Sequence, residues 1–224
     1  MRWWPVLVAL GCAGEKVTDV PEADADVDAD ADSDADADAD VDDTVLLNFP
    51  ADCNIVTAIG PGTGESNHLA GVALSPPAGG WPWRADRVKI ALSNEAQDVL
   101  TCDASRAHTA FVWVLEPSET RPPNDRDADQ ELSFGTLETD DPVRLLTGAL
   151  DPPIVLSEGQ KLAVAVQFAG TYPDSSCLTA CNRNYTELVD FWSNAAARPY
   201  DWSYLGDFGI ESNLWIFAEG EPVP

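Results

Sequence analysis

Leu162-Ala163-Val164-Ala165-Val166-Gln167-Phe168 carries its large apolar side chains on a single parity. Successive side chains of a strand point to opposite faces, so this alternation predicts a half-buried β-strand. Arg87-Val88-Lys89-Ile90-Ala91-Leu92 repeats the pattern, with Val88, Ile90 and Leu92 inward and Lys89 outward. Leu132, Phe134 and Thr136 alternate in the same way. Ala110-Phe111-Val112-Trp113-Val114-Leu115 is apolar on both parities, as a central strand covered on two faces would be. Leu214-Trp215-Ile216-Phe217 reads as the closing strand, and Trp113 and Trp215 are expected in the core. Leu69–Leu74 and Pro153–Leu156 are shorter strand signals.

Turn formers separate these runs: Gly60-Pro61-Gly62, Pro76-Pro77, Gly79-Gly80, Pro122-Pro123-Asn124, Asp151-Pro152-Pro153 and Ser157-Glu158-Gly159. No stretch sustains a 3.6-residue period with caps. Short alternating strands between closely spaced turns predict an all-β fold, an antiparallel β-sandwich, over residues 44–224. A domain of that length buries about 70% of its unfolded surface and needs no partner for stability.

The 224 residues carry a formal charge of −27. Thirteen acids and no bases lie between Asp19 and Asp43, and 25 acids against 10 Lys and Arg follow from Thr44. A surface this negative repels phosphate backbones, so no nucleic-acid partner is expected. From Asp24 to Asp43 acids alternate mostly with Ala. Ala offers too little apolar area to offset ordering the chain, and like charges two residues apart repel. The segment is expected to be a disordered linker. Residues 13–43 span at most roughly 100 Å when extended.

At the N-terminus, Trp3 to Gly11 is uncharged and follows a single Arg2. Nine helical residues rise about 14 Å, well short of a hydrocarbon core of about 30 Å, so the run suits a signal peptide rather than a membrane span. Val8-Ala9-Leu10-Gly11-Cys12 resembles a bacterial lipobox, although Ala9 stands where Leu is more usual. The resemblance implies a signal peptide at 1–11, lipidation of Cys12 and a linker over 12–43. It also implies a membrane partner through the lipid. Ala13, in place of a retention Asp, implies the outer membrane or cell surface. A lipobox followed by an Asp/Ala-rich tract resembles surface lipoproteins of myxobacteria and related Gram-negative bacteria. Pro153–Phe168, a short strand, a turn and an alternating strand, resembles the late hairpin of extracellular jelly rolls. So does the ending, where Trp202 precedes a Gly-rich turn and the Asn213–Ala218 strand. Such jelly rolls often bind carbohydrate or assist adhesion.

With Cys12 acylated, Cys53, Cys102, Cys177 and Cys181 remain, and four cysteines allow three pairings. The short Cys177-Leu-Thr-Ala-Cys181 loop favours Cys177–Cys181 with Cys53–Cys102. No His lies near Cys177 or Cys181, which argues against zinc.

His68 and His108 stand in no catalytic motif, and both are expected in loops or at sheet edges. Gly60 to Gly64 includes Pro61, which removes an amide, and no helix follows to cradle phosphate. No resident cofactor is expected apart from Ca²⁺. Asp125, Asp127, Asp129 and Glu131 alternate in one loop and could wrap hard oxygens around that cation. Gln130 occupies the place of an EF-hand glycine, and Arg126 competes for the carboxylates.

The aromatics offer a second candidate. Trp81 and Trp83 flank Pro82, and Trp192, Tyr200, Trp202 and Tyr204 lie in a stretch with few strand signals. They either contact a carbohydrate or surface protein, or plug the ends of the sandwich. The expected function is a non-catalytic surface lipoprotein that binds a glycan or another surface component. A structural envelope component and a hydrolase are the alternatives.

Overall fold

A computed structural model describes residues 44–46, 53, 56–62, 65–94, 101–103, 106–134, 143–171, 173–182 and 185–224. The expected signal peptide, Cys12, the expected linker and Thr136 lie outside the described residues. The first eight strands are β1 (Thr44–Leu46), β2 (Val56–Ile59), β3 (Leu69–Leu74), β4 (Trp83–Ser93), β5 (Thr101–Cys102), β6 (His108–Leu115), β7 (Gln130–Phe134) and β8 (Val143–Leu156). They are followed by β9 (Lys161–Gln167), β10 (Gly170–Thr171), β11 (Asp174–Ser175), β12 (Cys177–Cys181), β13 (Asp190–Ser193), β14 (Ser203–Tyr204), β15 (Asn213–Leu214) and β16 (Ile216–Pro222). A single 3₁₀ turn, Leu205–Phe208, precedes β15.

Two sheets pack face to face as a β-sandwich. The six-stranded sheet runs β14-β13-β3-β9-β6-β7. The seven-stranded sheet runs β1-β16-β4-β12-β15, with β8 beside β4 and β2 beside β12. A small third sheet, β10-β11-β5, includes the parallel pair β11 and β5. Trp215 joins two ladders: its N–H donates to Thr179 at 2.8 Å, and its carbonyl accepts from Ala91 at 3.0 Å. That position leaves Trp215 half-buried rather than in the core.

The alternating pattern of residues 162–168 is correct in period and incomplete in burial. Leu162, Val164, Val166 and Phe168 enter the core between the sheets. Ala163 and Ala165 are buried as well, on the opposite face, beneath a second apolar cluster with Trp113, Phe191, Tyr200 and Trp202. β6 is likewise central, paired with both β7 and β9. β4 changes parity midway. Trp83 and Ala85 point inward, then Val88, Ile90 and Leu92, because a bulge at Asp86 inserts one residue. Without that extra residue one half of β4 would turn its apolar set to solvent.

Asp151-Pro152-Pro153 is not a turn but lies within β8, opposite the Asp86 bulge. β8 pairs with β4 alone among the described residues, and prolines are tolerated at such an edge because no ladder donor is lost. Pro153–Phe168 is also not a hairpin. Its two strands belong to different sheets, and the Ser157–Gln160 turn, with Gly159 at φ 82, carries the chain across.

The disulfides are Cys53–Cys181 and Cys102–Cys177, with Cα separations of 6.0 and 5.3 Å. The expected Cys177–Cys181 bridge fails for a simple reason. Both residues lie on β12, and four residues of strand span about 13 Å, beyond the reach of a bridge of about 7 Å.

Register also orients the molecule. Thr44 lies opposite Gly220, which lies opposite Ala85, so β1 begins at the Trp83 end of the sandwich. Val223 N–H donates to Pro82 at that end, at 2.7 Å. The Cys102–Cys177 bridge and both histidines mark the opposite end.

Candidate functional site

At the disulfide-bearing end, Leu69 and Thr109 both lie opposite Gln167. The next rung outward therefore carries His68, Phe168 and His108, and Phe168 N–H donates to the His68 carbonyl at 2.9 Å. Sequence reading expects loop or sheet-edge histidines; His68 does lie in the loop before β3 and His108 opens β6, but both are buried, at 7% and 3% exposure. Arg144 is buried on the facing sheet, opposite Leu92 in β4.

Burial disfavours the charged imidazole in both cases. It pushes His108 down to about 4, with Arg144 adding to the depression and the Arg106 backbone and Asp103 opposing it. His68 is also lowered by burial, against the attraction of Glu65 and Asp201. The His68 ring stands edge-on to Trp192 at 5.5 Å, and its Nδ1 lies 3.5 Å from Glu65 Oε2. Ser193 Oγ donates to Asp201 Oδ1 at 2.8 Å, and Ala195 N–H donates to the same oxygen at 2.9 Å. Burial raises the Asp201 pKa, but these hydrogen bonds outweigh it and hold the carboxyl below its ordinary range. The serine hydroxyl is thus engaged by a carboxylate that also fixes the 193–201 loop.

The candidate aromatic surface is mostly corrected to packing. Trp83, Trp192, Tyr200 and Trp202 are buried. Trp83 belongs to β4, not to a loop, and Trp192 packs at 5.1 Å from Phe168. Tyr200 and Trp202 stack edge-on against Trp113, both at 5.9 Å, and Trp202 meets Phe191 at 5.0 Å. Together they cover the outer face of the six-stranded sheet, because β3, β6 and β9 are apolar on both faces and need a second lid. Trp81 and Tyr204 remain half-buried. Tyr204 carries Arg121 over its ring at 4.8 Å and hydrogen-bonds Thr120 through its hydroxyl.

The four acids expected around Ca²⁺ each bond elsewhere or face solvent. Asp127 pairs with Arg198 at 2.7 Å, and Asp129 Oδ2 accepts the Val114 N–H at 2.6 Å. Asp125 and Glu131 are exposed. Tyr200 N–H donates to Asn124 at 2.7 Å, and Arg126 donates to the Val114 carbonyl at 2.6 Å. These bonds dock the loop on the aromatic lid. Among the described residues, no group of three or more His, Cys, Asp or Glu is placed to hold a metal.

A different concavity lies where the edges of the two sheets meet. A groove of about 460 Å³ is lined by Asp129, Gln130, Glu131, Leu132, Ser133, Gly148, Ala149 and Asp151. Its volume falls within the range of small-ligand and peptide sites. A Cβ on Gly148 would lie 2.8 Å from the Phe134 ring, so glycine lets the two edges approach. Sequence reading missed the groove because its residues come from separate sheets. The only local signal was an excess of acids near residue 130.

No family model, curated protein or solved structure matches this chain.

Proposed function

We propose that this chain is an exported lipoprotein of the outer membrane or cell surface, in which acylated Cys12 and an acidic stalk present a non-catalytic sandwich to another surface component. The observation that carries the reading is the disulfide partition. Cys53–Cys181 and Cys102–Cys177 use four of the five cysteines and leave Cys12 over. Bridges of this kind persist in oxidising compartments, and a leftover cysteine next to a short apolar run fits acylation. Several acyl chains, at about 0.8 kcal/mol per buried CH₂, give durable anchoring.

The burial of Trp83, Trp192, Tyr200 and Trp202 supports a protein partner more than a sugar, since buried indoles offer no stacking face. The same burial favours the second reading, a structural envelope component with no small ligand. A stalk entering at Thr44 would turn the histidine end and the flanks of the sandwich away from the membrane.

The test is metabolic labelling with an alkyne fatty acid in a Gram-negative host, followed by mass spectrometry of the N-terminal peptide. The wild type is expected to carry label on a chain beginning at residue 12, and Cys12→Ser to carry none. An unmodified Met1 in the mature protein would remove the reading.

A further inference from the structure

The geometry points to the β7/β8 groove as a docking site for an extended, basic segment of a partner protein, bound as an added strand on the β8 edge. This inference rests on the surface-contact reading above and names the partner class.

Hydrogen-bond direction in the two sheets defines which backbone groups are free. Ala91 N–H bonds toward Trp215, so odd-numbered residues of β4 after the bulge face β16 and even-numbered ones face β8. Paired positions in an antiparallel ladder share their bonding side. Arg144, Leu146 and Gly148, opposite Leu92, Ile90 and Val88, therefore carry the ladder. Leu145, Thr147 and Ala149 turn their N–H and C=O groups to the open edge. In the other sheet, Asp129 N–H bonds to Val112 and Val114 N–H to Asp129, so even-numbered residues of β6 face β7. By the same logic Glu131 and Ser133 face the groove. Neither edge has a paired strand among the described residues.

One side chain closes the far end of this edge, at the irregularity beyond Ala149. The Gln130 side chain donates to the Pro152 carbonyl at 2.6 Å and accepts the Asp151 N–H at 3.1 Å. This amide caps the irregular Asp151–Pro152 segment, where the β4 ladder is interrupted. The next edge positions, Ala149, Thr147 and Leu145, carry no such partner. Exposed, long and partly apolar edges are templates for strand addition, and Leu145 is 50% exposed beside this one.

Charge decides the occupant. Asp129, Glu131 and Asp151 line the groove without a basic residue among them. A strand alternating apolar and basic side chains would set one row near Leu145 and the other toward these carboxylates. A second copy of this acidic chain would meet like charge.

The test uses the oxidised full-length chain carrying Cys12→Ser, titrated by fluorescence anisotropy with a short labelled Lys-Val alternating peptide and its Glu-Val counterpart. The Lys-Val peptide is expected to bind about tenfold tighter or more, with affinity falling as salt rises. Thr147→Pro removes a free-edge donor while leaving the β4 ladder intact, and is expected to abolish binding. A peptide N-methylated along its docking edge is expected to fail against the unmodified protein, which removes any doubt about folding of the variant. Equal binding of both peptides, no binding of the Lys-Val peptide, or binding indifferent to N-methylation would overturn the proposal. So would sedimentation showing that the edge pairs two copies. None of these results bears on acylation of Cys12, so the two readings fail separately.

Discussion

Asp190 Oδ1 accepts the backbone N–H of Leu214 at 2.8 Å, and in doing so ties β13 of one sheet to β15 of the other. The carboxylate is fully buried, at the start of a strand whose other side pairs with β3. Asp190→Ala leaves a buried amide without its acceptor and is expected to cost about 2–3 kcal/mol. Asp190→Asn keeps an oxygen at that place and should cost less. Urea unfolding of both variants distinguishes these outcomes, and equal losses would show that charge rather than the hydrogen bond holds the two sheets together.

The two disulfides close chain segments of 128 and 75 residues. In the chain-entropy treatment, each bridge of that span is worth about 4–5 kcal/mol against the unfolded state. Cys53→Ser/Cys181→Ser and Cys102→Ser/Cys177→Ser are each expected to lower stability by a large fraction of that amount. Calorimetry under oxidising conditions measures it. Non-reducing peptide mapping checks the pairing itself, and a Cys177–Cys181 fragment would contradict the strand geometry of β12.

Acid should loosen the histidine end. His108 is held neutral in the fold, at about 4, against 6.5 for an ordinary histidine. Its contribution is fully present above pH 6.5 and is lost as pH falls from there toward 4, because the unfolded chain binds the proton first. The shift corresponds to about 3 kcal/mol. His68 titrates in the same sense, since burial lowers it too. His108→Leu is expected to flatten the stability profile between pH 6.5 and 4. An unchanged slope in chemical denaturation across that range would assign the acid response to other groups.

The aromatic lid predicts a structural phenotype. Trp202 is buried against Trp113, Phe191 and Tyr200. Trp202→Ala is expected to destabilise the domain by about 3–5 kcal/mol through the lost packing and the cavity left behind. Tyr204→Ala, at the half-exposed rim, should cost much less. If the two variants unfolded at the same denaturant concentration, the lid would not be the second core described above.

The positions of β6, β7 and β9, the second half of β4, and their core-facing residues were legible along the chain because side-chain parity is a local property. Val88, Ile90, Leu92, Leu132 and Phe134 all point where their alternation indicates. Burial on the second face was not legible. Ala163 and Ala165 look like outward residues of an amphipathic strand until Trp202 and Tyr200, more than thirty positions away, fold over them. Partner choice was equally invisible. Nothing in Pro153–Phe168 says that its strands join different sheets, and nothing in the cysteine spacing says that Cys177 and Cys181 share one strand.

By itself the sequence determined an all-β chain, the inward face of its clearest alternating strands and its surplus of acid, since periodicity and charge are summed residue by residue. Tertiary structure decided the pairing of cysteines, the burial of the aromatics and the existence of the groove beside Gly148. Each of those depends on which distant segments meet, and contacts between distant segments are set by the packing of whole sheets rather than by any local pattern.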